Sequence, residues 1–406
     1  MKYTFLIPVH AARVSRDGYR RGDVMYDHPT PIDQDGPLNR TLESLQCLDH
    51  EDFNVVLLLS AVAPEIAEDS EAWIKEVVSR ARYRPKQLYL FSHSHLAKLA
   101  ALIGPDVKQF SSLLDLGGYP QERNIGLLTG ILLNTDVVIW LDDDELVRDK
   151  DFLQKLDEGF AQTIESQPVR LITGACPEGE AGSPIRVRPM KPWMRYWDKI
   201  HYQNETFKIV FMSEPRWKKT PLSHGGLSAI HREVFSIVPY DPYALRGEDM
   251  DYNLNARMFG FLFVADNKLE IRHLPPPRIH PKWLGFRQDM LRFLWEINKI
   301  KHQEKVVGMR KITASEFEPY PGRFLRDDIY WLIVQSQLVM AGEYLLRGKI
   351  FDATMALYNI YLSRFHKPLS QNAFVEYCAL QKVWVALTDR VAKIAGRRDE
   401  LFYTFK

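Results

Sequence analysis

The chain has 406 residues, enough for a large core and, at about 150 residues per domain, for two domains. Its 53 lysine and arginine residues nearly balance 52 aspartate and glutamate residues, which argues against a nucleic-acid partner or an acidic tail. The three cysteines are too far apart for metal-ligand spacing, and a reducing, cytoplasmic location is expected. The sequence contains no apolar run of about 18 residues, so no transmembrane segment is predicted.

Strands and helices alternate along the first part of the chain. Short apolar runs bounded by polar residues predict buried strands, and longer stretches with apolar residues at helical spacing predict helices. In chain order these are strand 3–9, helix 38–45, strand 54–59, helix 64–82 and strand 88–91. The alternation predicts a parallel sheet with helices on both faces. The polar, arginine-bearing segment 11–37 is long for a loop, and such loops are usually either functional lids or disordered.

A strand at 137–141 leads directly into Asp142-Asp143-Asp144-Glu145. Its β-branched, apolar character is typical of a central strand buried on both faces of a parallel sheet. Ligands of open α/β sheets bind at the carboxyl ends of the strands, where four massed acids repel one another unless a cation compensates them. Oxygen donors on one short turn suit Mg²⁺ or Mn²⁺ together with substrate phosphates. The alternative is a solvated acidic loop that caps the following helix.

The helix that precedes this strand carries polar side chains near its start. Arg123 and Asn124 lie close to the predicted N-terminus, where backbone N–H groups favour anions. We expect these two side chains to contact phosphate or ribose. Otherwise they are surface residues of an amphipathic helix.

Residues 181–221 are rich in basic and aromatic side chains. Rings that stack on bases and cations that pair with phosphates can indicate a nucleic-acid site. In a chain of nearly zero net charge, a site for a sugar or an anionic acceptor is the better interpretation. Plain packing with surface charge remains the alternative.

A second informative block begins at His224. Gly225-Gly226 permits a close approach of the backbone to other groups. A helix then opens with three acids in four positions, Glu248, Asp249 and Asp251, and a late strand ends in Arg272-His273. His224 is expected to be structural.

The character of the chain changes at the proline run 275–277, which is a boundary signal. Beyond it every predicted element is a helix. The predicted helices are 286–300, 327–346, 351–365 and 374–395.

The order of these motifs resembles that of the GT-A glycosyltransferases, and of family 2 in particular. The matching segments are Phe5-Leu6-Ile7-Pro8-Val9, residues 38–45, Arg123-Asn124-x-Gly126, Asp142-x-Asp144, Gly225-Gly226 with Arg232-Glu233-Val234, Gly247-Glu248-Asp249, and His273. The resemblance implies an α/β fold in which residues 1–281 form a GT-A catalytic domain with a Rossmann-like mixed sheet. Residues 282–406 would then form an all-helical C-terminal domain.

The resemblance also implies roles for individual residues. The implied contacts with a nucleotide-diphosphate sugar come from Pro8, His10, Arg123, Asn124, Asp142 and Asp143. The implied ligands of Mn²⁺ or Mg²⁺ are Asp142, Asp144 and His273. Asp249, with Glu248 beside it, is implied as the catalytic base, and Asp251 is an alternative carboxylate.

These residue types suit sugar transfer. Breaking the bond between the anomeric carbon and the diphosphate leaves negative charge, which a divalent cation neutralises. A hydroxyl acceptor is a poor nucleophile, so a carboxylate must take its proton as attack proceeds. The resemblance therefore implies metal-dependent transfer of a sugar from a nucleotide-diphosphate donor to a hydroxyl acceptor, a saccharide or small glycoside, with inversion.

Some features depart from the family pattern and leave alternatives open. Leu59-Ser60-Ala61 stands where the family commonly has an acid for the nucleotide base. Retaining GT-A enzymes of the mannosylglycerate synthase type also resemble this layout. A nucleotidyltransferase would need a glycine-rich loop after the first strand, which His10-Ala11-Ala12-Arg13 lacks. A non-catalytic carbohydrate-binding or scaffolding protein is a further alternative, and the aromatic helical part permits a homodimer or a peripheral membrane contact.

Overall fold

A computed structural model describes residues 1–179, 182–277 and 280–405 of the chain. Its strands are β1 (Tyr3–Ala12), β2 (Thr30–Pro31), β3 (Phe53–Ala61), β4 (Gln87–Phe91), β5 (Val137–Trp140), β6 (Glu145–Leu146), β7 (Thr163–Ile164), β8 (Gln167–Pro168), β9 (Leu171–Ala175), β10 (Trp217–Lys219), β11 (Ser228–His231), β12 (Phe263–Glu270), β13 (Arg272–His273) and β14 (Tyr403–Thr404). Its longest strands are β1, β3 and β12.

The helices alternate with the strands up to β13 and then follow one another. They are α1 (Leu38–Ser44), α2 (Ala67–Ser79), α3 (His93–Ile103), α4 (Tyr119–Leu132), α5 (Phe152–Phe160), α6 (Lys199–Phe211), α7 (Arg232–Phe235), α8 (Glu248–Met258), α9 (Lys282–Lys301), α10 (Ile329–Leu345), α11 (Ile350–Phe365), α12 (Ala373–Ile394) and α13 (Arg398–Leu401).

The main sheet of the described residues has the order β10-β12-β9-β11-β5-β1-β3-β4-β14, with β2 paired to β1. Strands β4, β3, β1 and β5 are parallel, whereas β11 runs antiparallel between β5 and β9. The predicted fold class, an α/β fold with a mixed sheet and a helical C-terminal region, is confirmed. The parallel pairing expected of the first, alternating strands is confirmed, and β10, β11 and β14 add antiparallel pairs to the sheet.

The apolar runs of the central strands are explained by burial on both faces of the sheet. Phe5 and Ile7 of β1 enter one core with α1 and α2, while Leu6 between them enters a second core with α4 and α12. Strands covered on both sides lose the alternation of polar and apolar residues and become continuously hydrophobic.

The register of the central strands places their ends together. Leu6 of β1 lies beside Trp140 of β5. Pro8 and Asp142, each two residues further along parallel strands, therefore reach the same edge of the sheet. On one face α4 packs closely, because a Cβ on Gly126 would lie 2.3 Å from Cη2 of Trp140.

The C-terminal helices pack back onto the sheet region. Trp384 of α12 is fully buried and donates a 2.9 Å hydrogen bond to the carbonyl of Phe235. The helical region has one addition that was not predicted, because β14 pairs antiparallel with β4 at the edge of the sheet. The boundary between 281 and 282 stays a prediction. Within the described ranges, no helix has the length and apolar character needed to cross a bilayer.

Candidate functional site

A cavity of about 190 Å³ opens at the carboxyl ends of β1 and β5. It collects side chains from segments that are far apart in the sequence. Its lining consists of Pro8, His10, Asp27, His28, Tyr119, Arg123, Asp142, Asp143, Asp144, Gly225, Arg246, Glu248, Asp249 and His273. The structure thus brings together all of the predicted site residues except Asn124 and the alternative carboxylate Asp251.

The acidic turn after β5 is largely buried. Asp143 and Glu145 are 9% and 3% exposed, and Oε2 of Glu145 accepts a 2.8 Å hydrogen bond from the backbone N–H of Asp142. Burial, followed by the charges of Asp144 and Asp142, raises the pKa of Asp143 well above its ordinary value. Burial and the same neighbours also raise the pKa of Glu145. Packed this closely, the acids of the turn disfavour one another's ionised form, and a cation bound beside them would favour it.

Gly226 allows this turn to pack. A Cβ at Gly226 would lie 1.8 Å from Oε2 of Glu145, so a larger residue would displace the carboxylate. This agrees with the close backbone approach expected for Gly225-Gly226.

His273 reaches the acidic turn through a two-stranded ribbon. Strand β13 pairs antiparallel with β6, with His273 opposite Glu145. The Nε2 atom of His273 then lies 3.4 Å from Oδ1 of Asp144. Burial lowers the pKa of His273, but the hydrogen bond to Asp144 and the other acids outweigh it and raise the pKa to about 9. Without a metal the imidazolium partly neutralises the acids, and a metal would replace its proton.

Arg123 joins the acidic turn to the start of α8. Its side chain is 5% exposed, with Nη2 lying 3.1 Å from Oδ1 of Asp142 and Nε 3.3 Å from Oε1 of Glu248. The guanidinium also stacks on Trp140, 4.3 Å from the ring centroid. Arg123, at the predicted start of α4, is thus a buried cation that holds the carboxylates of Asp142 and Glu248 in place.

Helix α8 presents its first two acids to the cavity. Gly247 precedes it with φ +72°, a left-handed conformation that favours glycine. Burial raises the pKa of Glu248 to about 7 although Arg123 opposes the shift, and burial also raises the pKa of Asp249. Asp251 faces away, because its fully buried carboxylate accepts hydrogen bonds from Lys299 and Asn255 at 2.9 and 2.6 Å. Of the two candidate bases, only Asp249 lines the cavity.

Asn124 does not line the cavity. Its Nδ2 donates to the carbonyl of Tyr240 at 2.9 Å, and its Oδ1 accepts from the Tyr240 N–H at 2.8 Å. The side chain is fully buried and both of its polar ends are used. The predicted phosphate or ribose contact is therefore replaced by a bond that fixes the chain before α8.

His10 is positioned by groups that the sequence did not single out. Its ring stacks on Tyr26 with centroids 3.8 Å apart, and Nε2 lies 2.7 Å from Oε2 of Glu122. The other oxygen of Glu122 accepts a 2.9 Å hydrogen bond from Ser60. An acid from α4 thus lies at the end of β3, where the family pattern predicted an acid from the strand itself.

The long loop 11–37 contributes to the cavity in a way that was only partly foreseen. Its length predicted either a functional or a disordered loop, and two of its residues, Asp27 and His28, line the cavity. Asp27 Oδ2 lies 2.7 Å from Nη2 of Arg246, a second lining residue that was missed. The only sequence signals for these residues were the length of the loop and the position of Arg246 immediately before Gly247.

The three predicted metal ligands are not assembled as a set. Among residues 1–179, 182–277 and 280–405, no group of three or more His, Cys, Asp or Glu side chains is arranged to hold a metal ion. Asp144 and His273 are in contact, whereas Asp142 is turned towards Arg123. Two protein ligands suit Mg²⁺ or Mn²⁺ that is shared with substrate phosphates, and do not suit an all-protein cage. The donor set fits a metal that arrives with a diphosphate.

The fold and cavity define an α/β protein with an acidic site at the carboxyl edge of a mixed sheet. No family model and no curated protein matches the chain. Among solved structures it is similar to the mannosyltransferase PcManGT from Pyrobaculum calidifontis in complex with GDP-Man and Mn²⁺, at 13% identity and TM-score 0.46, over 97% of this chain and 86% of that one. It is also similar to GalNAc-T7 with UDP, GalNAc and Mn²⁺, at 14% identity and TM-score 0.40, over 82% of this chain and 56% of that one. At these values neither protein's activity transfers to this chain.

Proposed function

We propose that the protein is a metal-dependent glycosyltransferase that moves a sugar from a nucleotide-diphosphate donor to a hydroxyl acceptor. The supporting observation is the convergence of the acidic turn, His273 and the first acids of α8 on one cavity. On this proposal the cavity would offer a cation site, completed by substrate phosphates, and a separate carboxylate within a single small volume. A solvated acidic loop does not account for it, because Asp143, Asp144 and Glu145 are all buried.

The donor side of the proposed site is the acidic turn. Asp144 and His273 would hold Mn²⁺ or Mg²⁺, which when bound neutralises the charge that develops on the departing diphosphate. Asp142 would contact the metal or the ribose after exchanging its bond with Arg123. The resemblance of the motif order to family 2 supports this proposal. Pro8, His10 and Asp143 would line the nucleotide side.

The acceptor side is the start of α8. Asp249 would accept the proton of the acceptor hydroxyl while the oxygen of that hydroxyl bonds to the anomeric carbon and the bond to the diphosphate breaks. Glu248, bonded to Arg123, would keep the base turn aligned with the donor turn. A single displacement of this kind inverts the anomeric centre.

Thermal shift measurements test the donor assignment. The wild type is screened with a panel of UDP- and GDP-sugars. We expect at least one of them to raise its melting temperature, and to do so only when Mn²⁺ is present. The Asp144→Ala variant should lose this shift, and Asp389→Ala, which removes an exposed carboxylate on α12, should keep it. Equal shifts with and without metal, or a wild-type shift in Asp144→Ala, would contradict the assignment.

A further inference from the structure

A second and larger cavity adjoins the first. Its volume is about 520 Å³, and Asp27 and Arg246 line both cavities. Its walls come from the segment 186–197, the start of α6 and the start of α9. Asp27 and Arg246 therefore lie between the two cavities, and Asp249 lines only the first.

Basic side chains dominate this second cavity. Six cations line it against two carboxylates, Asp27 and Asp289. The cations are Arg186, Arg188, Lys191, Lys199, Arg246 and Lys282. The surplus of positive charge is a property of the cavity and not of the chain, whose net charge is only +1.

Four of these cations form ion pairs, and the other two have no ion-pair partner among the residues that the structure describes. Arg246 pairs with Asp27, and Lys199 lies 2.8 Å from Asp289. Arg186 and Arg188 share the single carboxylate of Glu178, at 3.1 and 3.2 Å. Lys191 and Lys282 make no ion pair with any residue that the structure describes.

Lys282 stands where a cation is electrostatically unfavourable. It is the first residue of α9, a 20-residue helix whose N-terminus has no side-chain cap and no acid in its first turn. Helix N-termini carry partial positive charge and attract anions. Burial and then the charge of Lys191 lower the pKa of Lys282. Lys191, the exposed Lys282 and the uncapped N-terminus of α9 thus belong to the wall of the same cavity.

Aromatic rings form the apolar part of the wall. Trp193, Trp197 and Phe286 line the cavity, and the rings of Trp197 and Phe286 lie 4.5 Å apart. Aromatic surfaces beside polar groups are typical of small-molecule sites. This is the basic and aromatic stretch for which a sugar or an anionic acceptor was predicted.

We propose that this cavity binds the acceptor through an anionic group, a phosphate or a carboxylate, held between Lys191, Lys282 and the N-terminus of α9. The acceptor's hydroxyl would then extend past Asp27 and Arg246 towards Asp249. The acceptor role depends on the proposed function, whereas binding of an anion by the two lysines can be measured without any sugar donor.

Calorimetric titration tests the anion site directly. The probes are inorganic phosphate, glucose 6-phosphate and glucuronate, with neutral glucose as the uncharged comparison. The wild type should bind at least one anion more tightly than glucose, and higher salt should weaken the binding. Lys191→Ala/Lys282→Ala should weaken it about tenfold or more, because two charge-assisted contacts are lost.

A matched control variant loses the same two positive charges at a site away from the cavity. Lys305→Ala/Lys311→Ala removes two exposed lysines beyond the other end of α9 and should bind as the wild type does. The same anion can be carried by a soluble saccharide or by a lipid headgroup. A co-sedimentation arm therefore uses phosphatidylcholine vesicles with and without phosphatidylinositol. Binding that requires phosphatidylinositol and both lysines would identify a lipid as the source.

The outcomes separate this proposal from the proposed function. The anion site is overturned if no soluble probe binds below about 10 mM and no vesicle binds. It is also overturned if glucose binds as well as the anions, or if the Lys191→Ala/Lys282→Ala variant binds like the wild type. If anions bind but no nucleotide sugar shifts the melting temperature, the anion site stands and the glycosyltransferase proposal fails.

Discussion

Replacing Arg123 with methionine tests whether this residue holds the two acidic segments together. The substitution keeps much of the side-chain volume but leaves Asp142 and Glu248 without their shared buried cation. Removing one partner of a buried ion pair costs about 3–5 kcal/mol. At about 2.1 cal/mol/K per residue, the unfolding entropy of a chain this size is about 0.85 kcal/mol/K. The expected fall in melting temperature is therefore about 4–6 °C.

Differential scanning calorimetry of a double-mutant cycle makes the test specific. Glu248→Gln removes one of the two negative charges, so Arg123→Met/Glu248→Gln should be less destabilised than the sum of the single variants. Arg397→Met breaks an exposed pair with Glu400 and should cost no more than about 1 kcal/mol. Additive effects within about 0.5 kcal/mol would refute the bridging role.

Three further outcomes are expected. Gly126→Ala should destabilise the protein by about 1–3 kcal/mol in denaturant unfolding, because its Cβ meets Trp140, whereas Gly342→Ala in the open should stabilise it by up to about 1 kcal/mol. Burial lowers the pKa of His95 from 6.5 to about 4, so its contribution to stability is complete above pH 6.5 and is lost as the pH falls towards 4. Between pH 7.5 and pH 5 the free energy of unfolding should fall by about 2 kcal/mol more in the wild type than in His95→Gln, as measured by denaturant unfolding at each pH. Asp249→Asn should lower the transfer rate by about 10²-fold or more while nucleotide-sugar binding persists, and unchanged transfer would exclude it as the base.

The parts of the fold that sequence patterns predicted are those encoded locally. The apolar run of β5 and the acids after it lie within nine residues, and burial of the strand on both faces follows from its composition. The starts of α4 and α8 were also readable, because Arg123 and Asp249 stand near helix N-termini. Each of these side chains does line the cavity.

The parts that could not be predicted depend on contacts between distant segments. The resemblance implied that His273 and Asp144 share a site, but no local pattern predicts the pairing of β13 with β6 that brings them together, because more than a hundred residues separate these two short strands. Asn124 carried the same signal as Arg123, yet the backbone of Tyr240 uses both ends of its amide. Asp27 lies in an irregular loop that has no periodicity to read.

Release of a nucleoside diphosphate from a nucleotide sugar tests the central claim most directly. The donor is the nucleotide sugar that gives the largest thermal shift. The wild type should release nucleoside diphosphate from it in the presence of Mn²⁺, and this release should cease when EDTA is added and resume when Mn²⁺ is restored. Asp144→Ala should release none, and Asp389→Ala should match the wild type. Undiminished release in EDTA or by Asp144→Ala would contradict a metal-dependent glycosyltransferase.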